Sequence, residues 1–249
     1  MIKSIKVYGE RNTNTNYIDK LIALNLNVIQ IPGIAPASIR KLQRALPGNE
    51  LVRDMYFYLA YGHNLGWKHT CVKPQARLNQ YKRVDSDLLF LTLTKNPYSW
   101  LLSLYLSPYH QKYSHKPCFE EFLHRKWITT GRDNTQGDVV NPMALWNIKN
   151  QSYLQLDSMR TMNVTTESTF TDPAGIIDNI CQRLSIEKKS DKFINYERST
   201  KDKKRDSAYY QDYYLSEKWR DNLSSEAIAI INESIDKQLM DHFGYDILS

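Results

Sequence analysis

KVYGERNTNTNYIDKL, residues 6–21, changes hydrophobic period half-way along. Ile5 and Val7 alternate with polar neighbours as in a short strand, and from Thr15 the apolar positions Ile18, Leu21 and Ile22 recur at helical spacing. The polar run between them is therefore a tight loop joining a strand to a helix. A helix that opens directly after a strand points unpaired backbone N–H groups and the positive end of its dipole beyond the strand's carboxyl end, where an anion such as phosphate fits. Arg11 adds a permanent positive charge, Thr13 and Thr15 hydroxyl donors, and Asn16 an amide. An ordinary turn capped by Thr and Asn would use the same residues, so the loop alone leaves both readings open. It lacks G-x-x-x-x-G-K-[ST], which argues against a Walker-type hydrolase or kinase. Position 14 is Asn where such loops carry Gly, and Asn is among the few other residues that enter the left-handed region at tolerable cost.

Working outward, residues 27–31 (NVIQI) read as a second strand and 38–46 as a short helix ended by Pro47-Gly48. Residues 51–61 favour neither period. LGWKHT, 65–70, reads as a short strand, and 74–82 as a polar helix. LLFLTLT, 88–94, is the most apolar run and reads as a central strand buried on both faces, followed by a helix opening at Pro97 with Trp100, Leu101, Leu104 and Tyr105 inward. Helical patterns follow at 118–128 and 142–159, a strand at 162–166, and an amphipathic helix capped by Asp172-Pro173. Arg198–Arg205 is a charged loop leading to a tyrosine cluster. One last helix is expected from Ser224, carrying Ile228, Ile231, Ile235 and Leu239 on a stripe, with Gly244 past its end. Alternating strands and helices predict one α/β domain over residues 1–249, with three layers and a mostly parallel sheet.

The composition suits that reading: 249 residues, 41% hydrophobic and 12% aromatic, enough for one sizeable core. The formal charge of +6 suits anionic ligands without demanding nucleic acid, which is not expected as a partner. Cys71, Cys118 and Cys181 are dispersed and odd in number, the six histidines form no ligand-type cluster, and no apolar run approaches the ~18 residues of a membrane span. With no signal-peptide pattern at the start, these features predict a cytoplasmic protein without a metal.

Three groups of chemistry-bearing residues then fall after strands: the loop at 11–16, Lys68-His69, and Lys95 with Ser103. In an open parallel sheet such residues converge on the crevice outside the strands' carboxyl ends. RNTNTNY resembles the 5′-phosphosulfate loop of the sulfotransferase superfamily, whose usual form is a basic residue, Ser/Thr-Gly-Thr/Ser-Thr/Ser/Asn and an aromatic; Thr13, Thr15, Asn16 and Tyr17 match it. KNPYSWLLSLY resembles the superfamily's 3′-phosphate motif, a basic residue before Asp/Asn-Pro with Ser eight positions on, here Lys95 and Ser103. DPAG at a helix start and a terminal WR…GYD segment extend the likeness over most of the chain, which is similar to the carbohydrate-type bacterial members.

The resemblance implies a P-loop-like α/β fold, 3′-phosphoadenosine 5′-phosphosulfate as cosubstrate, and transfer of a sulfuryl group to a hydroxyl acceptor, a carbohydrate or glycan, with no metal. It places the nucleotide on Arg11, Asn12, Thr13, Asn14, Thr15, Asn16, Tyr17, Lys95 and Ser103. It makes His69 the base, with Lys68 or Arg11 as the cation at the sulfuryl group. Here the lysine adjoins the histidine instead of preceding it by two, and Arg11 stands one place before the usual loop cation, where this chain has Asn12. A neutral imidazole with pKa near 6.5 suits proton removal at neutral pH, and backbone N–H groups suit the charge developing on the leaving nucleotide. Trp146, Lys149, Asn150 and Tyr153 share a helix that either borders the acceptor or divides between core and surface. Lys201–Arg205 is either a solvated loop or a flap over the nucleotide. Two other readings are an atypical phosphotransferase, against which Asp85 and Asp87 precede their strand, and a non-catalytic binder of nucleotides or acidic polymers.

Overall fold

The computed structural model describes residues 3–46, 50–111, 113–197 and 207–249. Four parallel strands, β1 (Ser4–Gly9), β2 (Ile29–Gln30), β3 (Leu88–Thr94) and β4 (Thr161–Thr165), form a sheet in the order β2-β1-β3-β4. The helices are α1 (Thr15–Asn25), α2 (Ala37–Ala45), α3 (Leu51–Leu59), α4 (Tyr61–Asn64), α5 (Gln75–Leu78), α6 (Pro97–Leu106), α7 (Phe119–His124), α8 (Pro142–Tyr153), α9 (Ser168–Thr171), α10 (Pro173–Leu184), α11 (Ser207–Leu215), α12 (Ser225–Ser234) and α13 (Lys237–His242).

The two-residue period of the strands sorts side chains between two helical layers. Ile5, Val7, Leu89, Leu91 and Leu93 pack on one face against α1 and α10. Tyr8, Leu88 and Phe90 lie on the other with Tyr153 and Leu156, and beyond them α6, α7, α8 and α12 close a core around Trp100, Trp127, Trp146 and Ile231. All seven residues of β3 are buried, Thr92 and Thr94 with its five apolar side chains; each large apolar side chain so buried contributes about 1.5–3 kcal/mol. The fold is thus α/β with a parallel sheet flanked by helices. Because β1 leads to β2 on one side and pairs with β3 on the other, the sheet has its switch point at β1 and β3. Gly9 is in register with Leu93, so the segments that follow β1 and β3 leave the sheet side by side.

Some expected elements change. The 27–31 strand keeps only Ile29–Gln30, residues 51–59 are helical, and the polar helix at 74–82 shrinks to Gln75–Leu78. LGWKHT is a series of turns, because Leu65 and Gly66 both take positive φ, 53° and 90°, and two such residues in a row end an extended run. The last helix divides at Ile235: Ile235 is extended, and the Asp236 carboxylate accepts from the backbone N–H groups of Gln238 and Leu239, starting α13 as a separate element. Among the described residues no helix is long and apolar enough to cross a membrane.

β1 also carries a charge into the core. Lys6 is fully buried, and its ammonium donates to the carbonyls of Pro32 (3.0 Å), Asn64 (2.5 Å) and Gly66 (2.7 Å), while the Tyr8 hydroxyl donates to Leu65 at 2.6 Å. Burial pulls the Lys6 pKa well below the usual lysine range. The turn at residues 64–66 is thereby fastened beneath the sheet, and it fixes where the next residues, Trp67 to His69, emerge.

Candidate active site

The loop between β1 and α1 begins in a confined space. A Cβ at Gly9 would come within 2.8 Å of Thr13 Oγ1 and Thr15 Cγ2, so the loop closes tightly over a residue with no side chain. Asn12 and Asn14 both have left-handed backbones, φ 70° and 62°. Asn14 is the N-cap residue of α1 and makes no side-chain cap; its amide reaches Thr169 Oγ1 at 2.9 Å instead. The opening N–H groups of α1 are therefore not occupied by their own cap, which suits an anion there. Thr13 and Thr15 are buried, and the Thr13 hydroxyl donates to the Glu10 carbonyl at 2.6 Å, so it shapes the loop from within. Tyr17 donates to Asn195 Oδ1 at 2.7 Å on the outer flank of α1.

The second group stands beside it. Lys95 follows β3, 1% exposed, and its ammonium donates to Ser103 Oγ at 2.9 Å, which in turn donates to the Ser99 carbonyl at 2.9 Å. The pairing arises because Asn96 caps α6 through Tyr98 N and Pro97 fills its first turn, which brings Ser103 back over Lys95 two turns on. Two contacts join this unit to the loop: Asn12 Nδ2 to the Ser103 carbonyl at 3.3 Å and Trp100 Nε1 to the Arg11 carbonyl at 2.9 Å. From α11, the Tyr214 ring lies 3.9 Å from the Lys95 ammonium, with its hydroxyl 3.5 Å from Ser103 Oγ.

The third group comes from the turn held by Lys6. Gly9 N donates to the Lys68 carbonyl and Lys68 N to the Gly33 carbonyl, both at 2.9 Å, so the turn wedges between the ends of β1 and β2. His69 Nδ1 then lies 2.5 Å from the Gly9 carbonyl. A carbonyl only accepts, so Nδ1 carries the proton and Nε2 keeps its lone pair. Burial, and next the Lys68 charge, lower the His69 pKa well below the usual histidine value, so the neutral ring is the stable form at neutral pH. The Lys68 ammonium is engaged on α1, 2.6 Å from Asn16 Oδ1 and 2.9 Å from Asp19 Oδ2. The Arg11 guanidinium lies 4.5 Å over the Tyr109 ring.

Sequence reasoning passed over Glu10. It is 2% exposed, accepts from Arg11 N (2.5 Å) and Tyr109 OH (2.9 Å), and pairs with Lys149 at 2.9 Å. A carboxylate directly after Gly9 in a loop read as an anion cradle was the visible anomaly, since it must be neutralised from elsewhere. The helix bearing Trp146, Lys149, Asn150 and Tyr153 places all four in the interior. The run Lys201–Arg205, read as a loop or a flap, lies outside the described residues.

No family model matches the chain. No curated protein matches it either. Among solved structures, it overlays on the sulfotransferase domain of the Synechococcus PCC 7002 olefin synthase with a TM-score of 0.49 at 13% identity, covering 100% of this chain and 96% of that one. A sulfotransferase domain from the curacin biosynthetic pathway gives a TM-score of 0.45 at 9% identity, over 100% and 99% of the two chains. A sulfotransferase from Alicyclobacillus acidocaldarius gives 0.45 at 14%, over 95% and 97%.

Proposed function

We propose that the protein is a sulfotransferase that moves a sulfuryl group from 3′-phosphoadenosine 5′-phosphosulfate to a hydroxyl of a carbohydrate or glycan. The observation that carries this reading is the hydrogen bond from His69 to the Gly9 carbonyl, which puts an imidazole with a free Nε2 at the root of the anion loop, while the Lys95–Ser103 pair stands on the loop's other side. Three segments distant in sequence, tied to one another through these contacts, would supply a cradle for one phosphate group, a cation and hydroxyl for another, and a base.

In this reading Nε2 of His69 takes the acceptor's hydroxyl proton as its oxygen attacks sulfur. The sulfur–oxygen bond to the nucleotide breaks, and the electron pair leaves on the 5′-phosphate. The opening N–H groups of α1 and the Arg11 guanidinium stabilise that growing negative charge. Arg11 takes this part in preference to Lys68, whose ammonium is neutralised by Asp19 and orients Asn16. Lys95 and Ser103 hold the 3′-phosphate, which distinguishes this nucleotide from ATP. The carbohydrate acceptor is supported by the +6 charge and 17 tyrosines, which suit stacking on sugars and attracting anionic glycans.

A thermal-shift screen tests the cosubstrate. Stabilisation by 3′-phosphoadenosine 5′-phosphate, without a response to ATP, GTP or NADPH, is expected, because a ligand of the native state raises stability by mass action. No response to the bisphosphate would refute the reading, and binding without transfer of labelled sulfate to any of a panel of glycans would favour the non-catalytic binder. Ser103→Ala is expected to weaken binding of the bisphosphate in calorimetry at least several-fold, and by about tenfold or more if the full bond is lost, since a hydrogen bond to a charged group is worth about 1.5–3 kcal/mol. Unchanged affinity in the folded variant would exclude Ser103 from the phosphate site.

A further inference from the structure

Lys149 lies in the middle of α8 with a side chain that is 0% exposed, and its ammonium has three oxygen partners from three other segments. It donates to the His69 carbonyl, to Asp133 Oδ1 at 2.9 Å, and it pairs with Glu10 Oε2 at 2.9 Å. These contacts close a ring. Lys149 holds the main chain of His69; the His69 ring donates to Gly9; Gly9 is followed by Glu10; and Glu10 returns to Lys149. Glu10 in turn holds the loop itself, through Arg11 N and through the Thr13 hydroxyl on its carbonyl.

We propose that Lys149 is the positioning residue that fixes His69 and the anion loop relative to one another, so that imidazole and loop move as one unit. The inference rests on the sulfotransferase reading for what His69 does. A structural role alone accounts poorly for the arrangement, because a buried ion pair is a weak source of stability and an apolar side chain of similar volume serves a core as well. Here both charges have further duties at the candidate site: the lysine on the His69 carbonyl, the glutamate on the Arg11 N–H. Burial opposes the Lys149 charge, but Asp133 and Glu10 outweigh it and hold the ammonium pKa well above the usual range.

The charged groups that act on His69 are Lys68 beside it, Arg11 from the loop and Lys149 from α8, all of which disfavour its protonation. Glu10 and Asp133 are the counter-charges of Lys149. Removing Lys149 therefore does two things that a mere filler would not. It frees the His69 main chain, and it lets the imidazole bind a proton at higher pH.

The test uses Lys149→Arg, Lys149→Met and the charge-balanced double variant Lys149→Met/Asp133→Asn, which keeps the experiment decisive if the single Met variant fails to fold. In the double variant kcat for sulfuryl transfer is expected to fall at least about tenfold while affinity for 3′-phosphoadenosine 5′-phosphate stays within about threefold. The acid limb of the pH–rate profile should move to higher pH, and Lys149→Arg should recover part of kcat. NMR titration of the His69 imidazole gives a readout that needs no turnover: its midpoint should rise in the double variant, while burial and Lys68 keep it below the ordinary histidine value. A folded double variant whose His69 titration matches the wild type overturns the proposal, as does one with wild-type kcat and acid limb. Wild-type protein that transfers no sulfate and ignores the bisphosphate would instead refute the sulfotransferase reading, and the NMR titration would still decide whether Lys149 governs His69.

Discussion

His69→Ala is expected to lower sulfuryl transfer by roughly a hundredfold or more while leaving the affinity for 3′-phosphoadenosine 5′-phosphate close to normal, because positioned acid–base catalysis contributes about 10²–10⁴ and the nucleotide is held by other residues. Labelled sulfate transferred to a mixture of glycans identifies an acceptor for wild type, and the variant is then assayed on it. Wild-type activity should be level from pH 8 down through 6.5 and fall only well below, since burial and the neighbouring Lys68 charge keep the imidazole neutral there. The same depression acts on stability with a definite sign. The unfolded chain takes up a proton at His69 near pH 6.5 and the folded one only at lower pH, so stability is full above 6.5 and declines as the pH falls below it. His110, pushed down to about 4 by burial and the Arg132 charge, adds to that decline. A variant that transfers at the wild-type rate at neutral pH would remove His69 from the mechanism.

Asn14→Val is expected to reduce nucleotide affinity about tenfold or more, whereas Asn14→Gly should be nearly neutral. The residue sits at φ 62° and ψ 19° at the head of α1, a conformation that costs an ordinary L-residue roughly 1–2 kcal/mol and a β-branched one more. Valine must either strain the loop or open it, and an opened loop no longer gathers its N–H groups. Glycine loses the contact to Thr169, about 0.5–1.5 kcal/mol, and gains freedom at positive φ, so the two effects largely cancel. Calorimetric titration with the bisphosphate, alongside the melting temperature, separates binding from folding. Equal tolerance of both substitutions would show that this loop is not the anion cradle.

The local pattern made the core elements readable. β3 is a short, mostly apolar stretch bounded by Asp87 and Asn96-Pro97, which favours a buried strand, and Asn96-Pro97 and Asp172-Pro173 mark helix starts through capping chemistry confined to a few adjacent residues. Asn14 could be placed in the left-handed region because few residues other than glycine go there. Elements settled by distant partners were misread. LGWKHT alternates well enough for a strand, but Lys6 and Tyr8, some 60 positions earlier, draw its carbonyls into a turn. Asp236 breaks an apolar stripe that periodicity alone carries straight through. At the candidate site, Lys95 and Ser103 are named through the resemblance of KNPYSWLLSLY to a known motif, and they meet because a helix opens between them, whereas Glu10, Lys149 and Asp133 come from three segments and meet only in the folded chain.

Lys6 separates two demands that usually coincide. A chain selected for stability alone would drift away from an ammonium in the middle of β1, because methionine or leucine there gives up no hydration. Such a protein would keep its sheet and could melt at a higher temperature. It would no longer hold the carbonyls of residues 64 and 66, and the segment carrying His69 would emerge from a turn fastened by fewer contacts. Stabilisation schemes that replace buried charges with apolar residues would accept that change first, and would yield a robust fold with a loosened His69. Thermal tolerance is therefore a poor guide to the placement of His69, and under the proposed function variants of β1 should be judged by the rate of transfer.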